Sequence, residues 1–137
     1  QVWDSIDQVG ARRFIEALPN KLNFNVKERG ASLSVGQRQL ISCIRIMLYD
    51  PKIILLDEAT SSVDSETESM IQSAISKILK NRTSIVVAHR LSTIKEVDNI
   101  IVLENGEIKE IGDHNSLNKS GGYYRRLYEM QNKNILT

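Results

Sequence analysis

The chain has a single cysteine, only two prolines and a net charge of +1 over 137 residues, and it has no long apolar run. Each shortage excludes something. Cys43 has no partner for an internal disulfide; set in a helical apolar pattern, it reads as a small core residue and suits a reducing cytoplasm. With both signs of charge interspersed, there is no electrostatic case for nucleic acid as the main partner. No stretch approaches the ~18 apolar residues that span a bilayer, and the start lacks a signal-peptide layout. The first residue is Gln1 rather than Met, so the chain reads as a piece of something longer. What remains is ordinary globular material, 41% hydrophobic and 26% charged, enough for one domain with a real core.

The organising stretch is Ile53-Ile54-Leu55-Leu56-Asp57-Glu58, an apolar run that ends in two adjacent carboxylates. Bounded by Asp50-Pro51, it fits a short strand buried on both faces. In open α/β sheets ligands sit beyond the carboxyl ends of parallel strands, where Asp57 and Glu58 would emerge. The competing reading of these residues is an acidic loop that caps the next helix.

Along the chain, Val2 to Leu18 carries apolar residues at helical spacing, broken near Gly10 and ended by Pro19, which predicts two short helices. Asn20 to Ser32 reads as a surface loop. Ser34 with Gln37 three residues later has the form of a capping box, and Leu40, Cys43, Ile44, Met47 and Leu48 line one face of the helix it opens. Asp50-Pro51 stops that helix. After the acids and a polar turn, Ser65 with Glu68 suggests another capped start for a helix to about Leu79. Thr83 to Ala88 is a β-branched strand ending in His89-Arg90, Leu91 to Val97 a short helix, and Asn99 to Leu103 a third strand. Asn105-Gly106 joins that strand to Glu107–Ile111 as a tight hairpin. Tyr124, Leu127, Tyr128 and Gln131 mark a last amphipathic helix, and His114 falls in an expected surface turn. Strands alternating with helices imply a mostly parallel α/β sheet with an antiparallel edge.

Two strands thus end in functional groups, Asp57-Glu58 and His89, and a parallel sheet would bring both to one edge. A carboxylate there can hold Mg²⁺ through water, and a second can orient or deprotonate an attacking water. His89, taken alone, is also readable as a satisfied structural histidine. Ser34 and Gly36 stand at a helix N-terminus, whose free N–H groups and dipole favour an anion; Ser-x-Gly-Gln by itself is equally a plain helix cap.

Taken together, Leu33-Ser34-Val35-Gly36-Gln37-Arg38-Gln39, Ile53 to Glu58, Ser61-Ser62-Val63-Asp64 and His89 closely resemble, in order and spacing, the ATP-binding cassette of ABC transporters. They match its signature motif, Walker B strand, D-loop and switch histidine. Glu28-Arg29-Gly30 and Asp57-Glu58-Ala59-Thr60 look like the exporter branch. The resemblance spans about Val2 to Tyr128. It implies a P-loop NTPase-like α/β fold with a C-terminal antiparallel hairpin, residues 1–50 ending the helical subdomain and residues 51–137 belonging to the ATPase core. It implies ATP and Mg²⁺ as cofactors, with Asp57 holding Mg²⁺, Glu58 as catalytic base and His89 at the γ-phosphate. Ser34, Gly36 and Gln37 would bind the γ-phosphate of ATP held by a second cassette in a head-to-tail dimer, and Asp64 would belong to the coupling D-loop. Glu28 and Arg29 would face a transmembrane domain on the cytoplasmic side of the cell (inner) membrane, with no nucleic acid involved. Val35 replaces the usual signature glycine, a mild departure.

No Gly-x-x-x-x-Gly-Lys-Ser/Thr occurs in the chain. By the resemblance, the phosphate loop, the adenine-stacking aromatic and the Q-loop glutamine belong upstream of Gln1. The chain is therefore expected to be the back half of a cassette, inactive alone. It would also lack the strand between Thr83–Ala88 and Asn99–Leu103, leaving edges prone to association. Three other readings exist: a DNA-repair or chromosome-structuring cassette, a non-catalytic partner lending only its signature helix, and a metal hydrolase on Asp57, His89 and His114. The short spacing from signature to acids and the near-neutral charge oppose the first. Retained Glu58 and His89 oppose the second, and the spacing matches no common metal site in the third.

Overall fold

The computed structural model describes residues 1–57, 63–88, 91–95 and 97–135. Its contacts divide the chain into two compact units, Gln1–Val86 and Val87–Thr137.

In the first unit, α1 (Val2–Val9) and α2 (Arg12–Ala17) are the two short helices expected. Gly10 separates them in the left-handed conformation (φ 82°), donating its N–H to Asp7 O. Leu18 is extended ahead of Pro19, as the proline ring demands of the residue before it. The region 20–32 contains two 3₁₀ turns, Lys21–Asn23 and Glu28–Gly30. Then come α3 (Val35–Tyr49), β1 (Ile53–Asp57), α4 (Ser65–Leu79) and β2 (Thr83–Val87). The helices α1, α3 and α4 pack on one another. Their core is Ile6, Val9, Leu40, Cys43, Ile44, Ile71, Ala74 and Ile78, spaced three and four residues apart on each helix. Burial among these side chains pushes the Cys43 thiol up to about 11.

The strands β1 and β2 pair in parallel. Burial along β1 corrects one expectation. Only Ile54 joins the core, while Ile53 and Leu55 are 64% and 75% exposed. Alternate side chains of a strand point to opposite faces, and among the described residues of this unit the helices cover one face only.

In the second unit, α5 (Leu91–Lys95) precedes the antiparallel hairpin of β3 (Ile100–Glu104) and β4 (Glu107–Gly112). Asn105 and Gly106 both have positive φ (53° and 78°), the backbone that a two-residue hairpin turn requires. The helices α6 (His114–Ser120) and α7 (Tyr123–Ile135) follow. Val102, Leu117 and Tyr124 form the small core here. His114 opens α6 rather than sitting in a surface turn, because Asp113 caps the helix by accepting from the N–H groups of Asn115 and Ser116. The hydroxyl of Tyr124 lies 2.6 Å from His114 Nδ1 in a shared hydrogen bond. The fold class is α/β, with a parallel pair and an antiparallel hairpin.

Candidate nucleotide site

The start of α3 is built by a reciprocal cap. Ser34 Oγ accepts from the Gln37 N–H at 3.2 Å, and Gln37 Oε1 accepts from the Ser34 N–H at 3.0 Å. This is the capping box expected from the two residue types, and it satisfies backbone donors that the first helical turn would leave open. It also occupies the Gln37 carbonyl oxygen and the Ser34 N–H. Val35 is partly exposed beside them.

The loop before α3 is held in a costly backbone. Lys27 and Arg29 both have positive φ (59° and 52°) without being glycine. Arg38, on the first turns of α3, pins it: Nη1 donates to Leu33 O at 2.7 Å and reaches Gly30 O at 3.5 Å. Glu28 and Arg29 are exposed on this loop.

Gly36 is buried, and its neighbour is α4. A Cβ built there would stand 2.5 Å from Thr67 Cγ2 and 2.7 Å from Val63 Cγ1. The site-facing end of α3 is thus seated on the first turn of α4. Asp64 caps that turn, accepting from the Thr67 N–H at 2.8 Å. The cap falls on Asp64 and not on Ser65, because Asp64 has the extended backbone that points its carboxylate at the third N–H of the helix. The Thr67 backbone N–H, and then its hydroxyl, hold the Asp64 carboxyl below the usual carboxylate range.

Of the residues expected at the site, Ser34, Gly36 and Gln37 share the start of α3, and Gly36 is packed against the turn that Asp64 opens. Asp57 stands exposed at the carboxyl end of β1, as expected of an acid delivered to the sheet edge. Glu58, His89 and residues 61 and 62 lie outside the described residues. Sequence reasoning missed Val63, Thr67 and Arg38. Asp-x-x-Thr at 64–67 carried a readable cap signal, whereas nothing local announces that Thr67 faces Gly36 or that Arg38 reaches back to Leu33.

A substitution tests this contact. Gly36→Ala gains helix propensity of up to about 1 kcal/mol. It also drives a methyl into two side chains at under 3 Å, an overpacking that typically costs about 1–3 kcal/mol. The expected net result is a lower urea midpoint with an unchanged slope; a rise in the midpoint would mean that α4 yields freely.

Among the described residues, no cluster of three or more His, Cys, Asp or Glu side chains could hold a metal, and no helix is long and apolar enough to cross a membrane. A single carboxylate such as Asp57 suits Mg²⁺, which keeps most of its waters and takes phosphate oxygens as further ligands.

A parallel pair with an acid at its carboxyl end, preceded by a helix with a Ser-x-Gly-Gln start, makes this an α/β protein whose local motifs have more than one reading, and comparison with known proteins narrows it. The family described as "ABC transporter" matches residues 2–61. A probable multidrug resistance ABC transporter ATP-binding/permease protein, YheH of Bacillus subtilis, is 46% identical over 96% of this chain and 20% of its own length. ABC transporter B family member 13 of Arabidopsis thaliana is 47% identical over 96% of this chain and 10% of its own length. An ATP-dependent lipid A-core flippase of Shewanella oneidensis is 47% identical over 96% of this chain and 22% of its own. Among solved structures, a bacterial Atm1-family ABC exporter with ATP bound superposes with TM-score 0.80 at 37% identity, covering 95% of this chain and 23% of that one. By sequence and by fold, the chain is similar over nearly its whole length to the ATP-binding region of ABC exporters. It spans about a fifth or less of the length of these curated relatives.

Proposed function

We propose that this chain supplies the signature helix, the acidic strand and the C-terminal core of a cassette that binds and hydrolyses ATP to drive export through a transmembrane domain. The observation that carries the reading is the start of α3, where a reciprocally capped Ser34 and a buried Gly36 are seated on the turn opened by Asp64. In this reading residues 1–50 end the helical subdomain and residues 51–137 belong to the ATPase core. The N-terminus of α3 turns toward the γ-phosphate of an ATP held by a second cassette, with the Gly36 N–H, the Ser34 hydroxyl and the Gln37 side-chain NH₂ as the contacts, since the Ser34 and Gln37 N–H groups are taken by the cap. The Ser34 hydroxyl, already an acceptor for the helix, turns its proton outward to that phosphate.

Asp57, at the end of β1, would hold Mg²⁺, which would neutralise charge on the transferred phosphoryl group. Glu58 takes the proton of the attacking water, and His89 hydrogen-bonds the γ-phosphate. Asp64 belongs to the loop that couples the two composite sites of the dimer. Glu28 and Arg29 face the transmembrane domain, the loop being held rigid by Arg38. The cassette works on the cytoplasmic side of the membrane and needs no nucleic acid. The 137-residue chain alone has no phosphate loop and is inactive.

Mixing tests this directly. The chain is combined with the upstream half of its own cassette, containing a Gly-x-x-x-x-Gly-Lys-Ser/Thr loop, and Mg²⁺-dependent phosphate release is measured. The expected result is turnover in the mixture and none in either half. A folded complex that stays silent would mean that the chain is a non-catalytic donor of its signature helix.

A further inference from the structure

The connections α3–β1 and α4–β2 enclose an open cleft of about 540 Å³ at the amino ends of the two strands, the opposite sheet edge from Asp57. Its walls carry Lys52, Lys77, Lys80 and Arg82, with Asp50 as the one carboxylate. Asp50 is already engaged: Arg82 Nη2 donates to its Oδ1 at 2.6 Å, while Arg82 Nη1 donates to Ile78 O at 2.6 Å. Arg82 is largely buried and held by both bonds, so it forms the fixed floor of the cleft. The three lysines are exposed, and among the described residues none of them pairs with a carboxylate.

Helix ends bring these cations to one side of the unit but supply no acid for each of them. Lys77 lies in the last turn of α4, where carbonyl groups favour a cation, and its Nζ also stands beside Gly10 at the end of α1. Lys80 is the C-cap of α4, and Lys52, from the other connection, lies two residues beyond Asp50, the C-cap of α3. The whole chain is nearly neutral, so gathering four cations about one neutralised acid leaves a local positive field, which a concave wall strengthens. Asn81 and Thr83 add neutral donors to the same wall. The volume suits a small ligand rather than a macromolecule.

We propose that this cleft binds a multiply charged phosphate-bearing anion, either a free phosphorylated solute or a lipid headgroup. Lys52, Lys77 and Lys80 close on the phosphate oxygens as point charges, and Arg82 holds the floor in place.

The test uses the 137-residue chain, inorganic pyrophosphate as probe and amide NMR shifts as readout. Saturable binding with a Kd below about 1 mM at low salt is expected, with shifts at Asp50, Lys52 and residues 79–83 and none at residues 34–37. The double variant Lys52→Gln/Lys80→Gln, at two exposed positions without partners, is expected to weaken binding at least about tenfold, whereas Lys52→Arg/Lys80→Arg retains it. Vesicles of phosphatidic acid, whose phosphate monoester can carry two charges, with phosphatidylcholine as control, separate the sources. Lysine-dependent binding to the anionic vesicles assigns a headgroup; binding of pyrophosphate alone assigns a free solute. The proposal is overturned by no saturable binding of either probe, by equal binding to the double glutamine variant, or by shifts confined to residues 34–37.

Discussion

Glu58→Gln is expected to lower ATP turnover of the assembled cassette about 10²–10⁴-fold while leaving ATP binding intact. Glutamine matches glutamate in size and can still accept a hydrogen bond from water. It cannot take the proton as that water attacks, so the loss falls on the chemical step. In barrier terms this is about 3–5 kcal/mol. The neighbouring acid predicts a different pattern: if Asp57 holds Mg²⁺ as proposed, Asp57→Asn should raise the Mg²⁺ concentration needed for turnover. Steady-state phosphate release and nucleotide affinity, measured side by side on the reconstituted complex, separate the two. Glu58→Gln turnover within about threefold of the parent would remove Glu58 from the role of base and leave water positioning as its most that it does.

Leu40→Ala should produce one of the largest losses of stability available to a single truncation in the first unit, beside Ile6→Ala. Leu40 is 1% exposed on α3, in the core shared with α1 and α4. Truncation to alanine removes the transfer energy of its buried carbons and leaves a cavity among Ile6, Ile44, Ile71 and their neighbours, at a typical cost of about 2–5 kcal/mol. Against the about 5–15 kcal/mol that holds a natural domain together, that loss is large enough to show as partial unfolding at rest. Because the same helix carries Ser34 and Gly36, loss of the α3 core should also erase the seating of its N-terminal end on α4. Leu55→Ala is the matched control. Leu55 is 75% exposed in this chain, and its truncation should change stability by no more than about 0.5 kcal/mol. Urea denaturation followed by circular dichroism measures both. Equal midpoints for the two variants would show that α3 is not central to the fold of this unit.

The parts of this protein that its sequence determined by itself are those closed within a few residues. Ser34 and Gln37 satisfy each other's backbone groups across one helical turn, and Asp50-Pro51 ends α3. Asn105-Gly106 supplies the positive φ that a two-residue hairpin needs. The order and spacing of these signals around Asp57 were also enough to reach the family. Asp64 was legible in principle, since an acid three residues before Thr67 is a cap, and the misplacement on Ser65 came from a second eligible cap beside it.

Tertiary structure alone decided which faces meet. That Gly36 lies under Val63 and Thr67, that Arg82 reaches back to Asp50, and that lysines from two separate connections share one cleft are contacts between residues far apart in sequence. The one-sided burial of β1 belongs here too, because four aliphatic residues in a row read the same whether one face or both are covered. Local hydrogen bonding follows from the order of residues; packing depends on the direction each helix takes across its neighbours, which no short stretch of chain encodes.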